Sequence, residues 1–144
     1  TRVTRDDPRP SNRLREYSSE KITSKTLQKY SSQARQLNRV RTSDNTSGII
    51  YSKNGKLVGM INTEKKPSGE VWIQGLEVFG DSKGKGIGRA LLDKAVNDMG
   101  ATHLSVRKTN TNAKRLYDSY GFKTYDDDGF MYYMNYDKKL ANSR

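Results

Sequence analysis

The stretch GDSKGKGIGRALLDKA, residues 80–95, decides how this chain is read. Gly84, Gly86 and Gly88 stand among Lys83, Lys85 and Arg89, and the pattern then turns helical, with Ile87, Ala90, Leu91, Ala95 and Met99 on one face. Glycine loses the most conformational freedom on folding, so a cluster of it needs a reason. A strand-like run, EVWIQGLEVF (70–79), precedes the loop. Strand, glycine turn and helix N-terminus together present unpaired N–H groups and a positive dipole end, which suit phosphate oxygens. A tight strand-to-helix connection with incidental surface cations is the plainer alternative. Two phosphate loops fail on spacing. G-x-x-x-x-G-K-[ST], counted from Gly80, demands glycine where Lys85 stands. G-x-G-x-x-G wants an acidic residue closing the next strand, and that strand closes on Arg107-Lys108.

Working outward, Leu27, Tyr30, Ala34 and Leu37 share one helical face, with Ser24 as cap, and TSDNTSG (42–48) breaks the pattern. GIIYSKNGKLVGMINTE (48–64) reads as two strands around Asn54-Gly55, a dipeptide suited to a type I′ turn. KKPSG (65–69) turns the chain into the third strand. After the loop and its helix comes a short strand, HLSVRK (103–108). A further helix carries Ala113, Leu116, Tyr117 and Tyr120, with Asn112 as N-cap and Gly121 just past its end. Strands around Phe122–Tyr125 and Phe130–Tyr136 flank DDDG. The order predicts an α+β (mixed α/β) domain whose first three strands form an antiparallel meander.

Bulk properties narrow the function. Of 144 residues, 32% are hydrophobic and 30% charged, giving one domain with a lean core and a heavily charged surface. No apolar run approaches the roughly 20 residues of a membrane span. The chain has no cysteine, which excludes disulfides, thiolate metal sites and a cysteine acyl-enzyme. Its single histidine, His103, argues against a histidine zinc cage or a Ser-His-Asp triad and reads as an exposed residue opening its strand. A cytoplasmic setting is expected. The chain starts at Thr1 rather than Met, consistent with a segment of a longer protein. The net charge of +11 asks for an anionic partner or for solubility. Residues 1–23 show no strand and carry Arg2, Arg5, Arg9, Arg13 and Arg15 beside Pro8 and Pro10, so they read as a mobile basic arm ahead of a domain spanning 24–140.

A third loop pattern fits. Lys83-Gly84-Lys85-Gly86-Ile87-Gly88 resembles the acetyl-coenzyme A loop of the GCN5-related N-acetyltransferase (GNAT) superfamily, Q/R-x-x-G-x-G/A, with lysine at the first position. VRKTNTNAKRLYDSYGFKTY (106–125) resembles the family's N-x-x-A-x-x-L-Y-x-x-x-G-F, with Asn110, Ala113, Leu116, Tyr117, Gly121 and Phe122 in register. The resemblance implies a GNAT fold: a mostly antiparallel sheet, helices on both faces, and a splayed parallel strand pair that holds acetyl-coenzyme A. It implies an N-acetyltransferase moving acetyl directly to a primary amine.

Family members open with a strand before their first helix, which the sequence does not show here. By resemblance, the strand at Leu76 to Val78 would hold pantetheine, with a backbone N–H near Leu76 facing the thioester. Amides and cations of Lys83, Gly84, Lys85, Gly86, Gly88 and Arg89 would hold the pyrophosphate, and Asn110 would touch the cofactor. Tyr117 would be the general acid, against the alternative of a core tyrosine. Glu77 is the candidate base, on the face opposite Leu76 and Val78 unless a bulge re-aims it, and as readily a surface ion-pair partner. Glu70 is the next candidate, and a water chain the third option. Ser105 and Trp72 stand where some members carry a glutamate. No metal is expected. Two other readings stay open: a basic GNAT acting on an RNA-linked or ribosomal amine through the arm, and a non-catalytic coenzyme A-binding domain of a larger structural protein. The acceptor and oligomeric state are not legible.

Overall fold

The computed structural model describes residues 15–34, 37, 40, 42–80, 83, 84 and 86–136. Their elements run β1 (Ser18–Lys21), α1 (Ser24–Tyr30), β2 (Thr46–Lys53), β3 (Lys56–Lys65), β4 (Val71–Val78), α2 (Ile87–Asp98), β5 (His103–Arg107), α3 (Thr111–Tyr120), β6 (Phe122–Asp127) and β7 (Met131–Tyr136). One mixed sheet takes the order β1-β2-β3-β4-β5-β7-β6, antiparallel except for β4 beside β5. The expected meander is β2-β3-β4. Asn54 (φ 55°) and Gly55 (φ 77°) both take the left-handed backbone that a type I′ turn requires.

The sheet separates two clusters. Ile61, Ile73, Leu104, Val106 and Met134 face α2 and α3, packed with Ala90, Leu91 and Leu92 of α2 and with Phe122 of β6. Ile50, Leu57 and Met60 face the other way, onto Tyr30, Ala34 and Leu37. Burying each large apolar side chain contributes about 1.5–3 kcal/mol, and the period-3.6 faces of α2 and α3 supply them.

Three local expectations are corrected. Residues 18–21 do form a strand, β1, registered against Ile49–Ser52 of β2. Its sequence, SSEK, has no hydrophobic alternation. Pairing of an edge strand and the bond from the Tyr30 hydroxyl to Glu20 (2.7 Å) hold it there instead. Arg2, Arg5, Arg9 and Arg13 lie outside the described residues, and Arg15 is exposed. Helix α1 is capped by Thr23 in a reciprocal box with Thr26, not by Ser24, and ends at Tyr30, although Ala34 and Leu37 stay buried beyond it. Helix α3 is capped by Asn110, whose side chain accepts from the Ala113 N–H (3.2 Å), not by Asn112. Gly121 closes it at φ 124°, as expected.

Candidate active site

Strand β4 creates the site. Asn62 pairs Gly75 while Thr63 pairs Ile73, so Gln74 is an extra residue, a β-bulge. The bulge reverses the alternation of side chains: Val71 and Ile73 face the α2/α3 core, and so do Leu76 and Val78 beyond it. In an unbulged strand Glu77 would share the face of Ile73 and enter that core. The extra residue instead turns Glu77 to the α1 side, where it lines a cleft of about 600 Å³ with Met60, Asn62 and Gly75.

A bulge also bends its strand. Strands β4 and β5 pair only at Trp72–His103 and Ile73–Leu104, although β4 continues to Val78 and β5 to Arg107. Past that point they diverge. Residues 75–78 of β4 therefore face a gap with no strand partner on that side, where an extended amide-bearing chain would fit.

Tyr117 approaches this gap from α3. It is 8% exposed, and burial, with the charge of Glu77 second, pushes its phenol up to about 12. The Glu77 side chain has no hydrogen bond or ion pair with another described residue. Tyr117 packs edge-on against Phe122, its ring centroid 6.2 Å away, as the core-tyrosine alternative expects.

The glycine loop stands beside the end of β4. Gly84 and Gly86 both hold φ 79°, in the left-handed region, and Gly86 is the N-cap of α2 with no side-chain cap. Helix caps normally supply an oxygen to the first-turn N–H groups; here no side chain does. A Cβ on Gly84 would meet open space, whereas one on Gly88 would lie 3.2 Å from Leu116 Cδ2, so Gly88 serves helix packing. The uncapped helix end and the open loop fit a pyrophosphate, and the strand gap fits pantetheine. Lys83 is exposed beside this end, while Arg89 is drawn toward α3, 5.3 Å from the Tyr120 ring and 3.5 Å from Ser119 Oγ. Lys85 lies outside the described residues. The carboxamide oxygen of Asn110 is occupied by its helix cap.

The other candidates sit elsewhere. Glu70 accepts from Trp72 Nε1 (3.1 Å) and lies 3.4 Å from His103 Nε2, at the paired end of β4 away from the gap. His103 is not simply exposed: it stacks on Trp72 (5.0 Å between centroids) and bonds Thr102 Oγ1 (2.7 Å). Ser105 is exposed on β5. Sequence reasoning missed Asn62 and Glu64 of the cleft. Their alternation with Met60 along β3 was the available signal.

No curated protein matches the chain in sequence. Solved structures do match in fold. The ribosomal-protein-S18-alanine N-acetyltransferase of Escherichia coli is 19% identical, covering 83% of this chain and 92% of that one, with a TM-score of 0.66. The Campylobacter jejuni N-acetyltransferase PseH in complex with acetyl coenzyme A is 18% identical, covering 85% and 99%, TM-score 0.60. PaiA N-acetyltransferase of Thermoplasma acidophilum in complex with coenzyme A is 16% identical, covering 83% and 98%, TM-score 0.63. The sequence profile of the acetyltransferase (GNAT) domain matches residues 13–133, so the chain belongs to the GNAT acetyltransferase family and is an acetyl-coenzyme A-dependent N-acetyltransferase.

Proposed function

We propose that transfer is direct, to a primary amine that enters from the α1 side, with Glu77 as base and Tyr117 as acid. The observation that carries this reading is the β4 bulge, which turns Glu77 to the cleft; the parting of β4 from β5 and the effect of Glu77 on the Tyr117 phenol support Tyr117 as its counterpart on the other face.

Acetyl-coenzyme A supplies the acetyl group as an activated thioester. Backbone N–H groups at Gly84 and Gly86, with Lys83 beside them, would hold its pyrophosphate, and Leu76 to Val78 would align the rest. Glu77 takes a proton from the entering ammonium, directly or through water, and passes it to solvent. The nitrogen forms its bond to the acetyl carbon as the carbon–sulfur bond breaks. Tyr117 gives its proton to the departing sulfur, and the second nitrogen proton replaces it. An N–H near Leu76 stabilises charge on the carbonyl oxygen. A chain without cysteine has no thiol through which to form an acyl-enzyme.

A second reading, an amine carried by a polyanion such as RNA, is favoured by the net charge of +11, and a cysteine-free chain suits a cytoplasmic setting. No described helix is long and apolar enough to cross a membrane. Calorimetry with acetyl-coenzyme A, followed by thiol release against an amine panel, tests the reading. Binding with amine-dependent thiol release is expected. Binding without it would favour the non-catalytic alternative.

A further inference from the structure

The cleft beside Glu77 holds a polar group with nothing to bond. Asn62 is 7% exposed, lines the cleft, and its Oδ1 is the one buried side-chain N or O atom among the described residues without a hydrogen-bond partner. A buried carbonyl oxygen left unpaired is costly, and native structures retain one where something else supplies the donor.

The surroundings keep Asn62 in place. It pairs with Gly48 on β2 and Gly75 on β4, so glycine flanks it on both sides. A Cβ on Gly75 would lie 2.7 Å from Oδ1, and one on Gly48 would lie 2.9 Å from the Asn62 Cβ. The two missing side chains are what make room for the carboxamide. Turning that group over exchanges its oxygen and nitrogen with almost no change of shape, so a ligand donor would be met by the oxygen.

Asn62 does not act alone. Alternation along β3 puts Met60, Asn62 and Glu64 on one face, and Glu77 pairs with Met60. By strand rise, Asn62 stands about 7 Å along the cleft from the Glu77 end and Glu64 about 13 Å. Glu64 is fixed by Asn45 Nδ2 (3.2 Å) and Lys66 Nζ (3.1 Å). In a chain of net charge +11, the charged residues described along this cleft are Glu64 and Glu77, both negative.

We propose that this floor selects an acceptor amine bearing a second, positively charged N–H donor group, with Asn62 as the specificity-determining residue that receives it. The inference rests on the transferase reading. The acceptor class is a linear aliphatic diamine or polyamine. One nitrogen meets Glu77 and the gap, and the next nitrogen meets Asn62.

The test compares cadaverine with n-pentylamine, which lacks the second nitrogen. The wild-type protein is expected to prefer cadaverine in kcat/KM by on the order of 10²-fold, as sites built to bond a polar group reject analogues lacking it. Asn62→Leu removes the unpaired oxygen at similar volume. It should raise the melting temperature, keep acetyl-coenzyme A affinity by calorimetry, and bring the two amines to within about 10-fold through KM. Asn62→Asp, a second variant that keeps the shape and adds charge, should tighten cadaverine binding measured by calorimetry. Equal use of both amines by the wild-type protein, or an undiminished preference in Asn62→Leu, would overturn the proposal while leaving the transferase reading standing. Failure of the wild-type protein to bind acetyl-coenzyme A would overturn that reading, and this inference with it.

Discussion

Tyr117 is held protonated by two influences, one permanent and one removable. Burial raises its phenol throughout, but the Glu77 contribution exists only while that carboxylate is charged. A thiol ordinarily ionises at about 8.5, so in the proposed transfer a phenol at about 12 would give its proton to sulfur uphill. Glu77→Gln should shift Tyr117 phenolate formation to lower pH in an ultraviolet titration, yet leave it above the free-tyrosine value of about 10, because burial remains. An unmoved titration would show that the two groups do not communicate. Tyr117→Phe keeps the contact with Phe122 and removes the hydroxyl. Turnover is expected to fall on the order of 10²- to 10⁴-fold with acetyl-coenzyme A affinity retained; an unchanged rate with chemistry limiting would return Tyr117 to packing alone.

At the scale of elements, the loop and the bulge differ in what replaces them. Gly86 caps α2 in left-handed backbone, where a β-branched residue is strained by roughly 1–3 kcal/mol. Gly86→Val should lower stability by that order in urea and abolish acetyl-coenzyme A binding by closing the uncapped helix end; full affinity in the folded variant would refute the loop's role. The glycine loop was legible because spacing along the chain reports it directly. The register of β4 was not. WIQGLEV carries no mark that Gln74 is the extra residue, since a bulge is decided by how β3 pairs across it. The strand β1 was missed for a related reason: SSEK is placed by its partner β2 and by Glu20 beneath Tyr30, neither of which is local.

For the whole molecule, β1 divides the proposed arm. A protein beginning after residue 14 should fold and bind acetyl-coenzyme A as the full chain does. One beginning after residue 23 loses β1 and the Glu20 bond to Tyr30, and should melt lower with its β2 edge unpaired. If residues 1–14 deliver a polyanion, affinity for RNA should fall steeply with salt, and the shorter truncation should flatten that slope. Stability also has a basic limit. Tyr117 and Tyr120 are both held above their usual value, chiefly by burial, so each favours folding while protonated. Their contribution is complete below about pH 10 and fades as pH rises through the folded value of Tyr117, about 12. Urea midpoints followed across that range should fall, and fall less in Tyr117→Phe; a flat profile would contradict the shift.

Local chemistry by itself determined the glycine loop, the helix that follows it, the hairpin turn at Asn54-Gly55 and the spacing of Asn110, Tyr117 and Gly121. Each of those depends on residues within a turn or two of one another, where φ preference and periodicity speak. Tertiary structure alone decided which way Glu77 faces, where β4 and β5 part, and that Asn62 is buried between two glycines without a partner. Those features arise from pairing across strands, and a one-residue difference in register moves a side chain from one face of the sheet to the other.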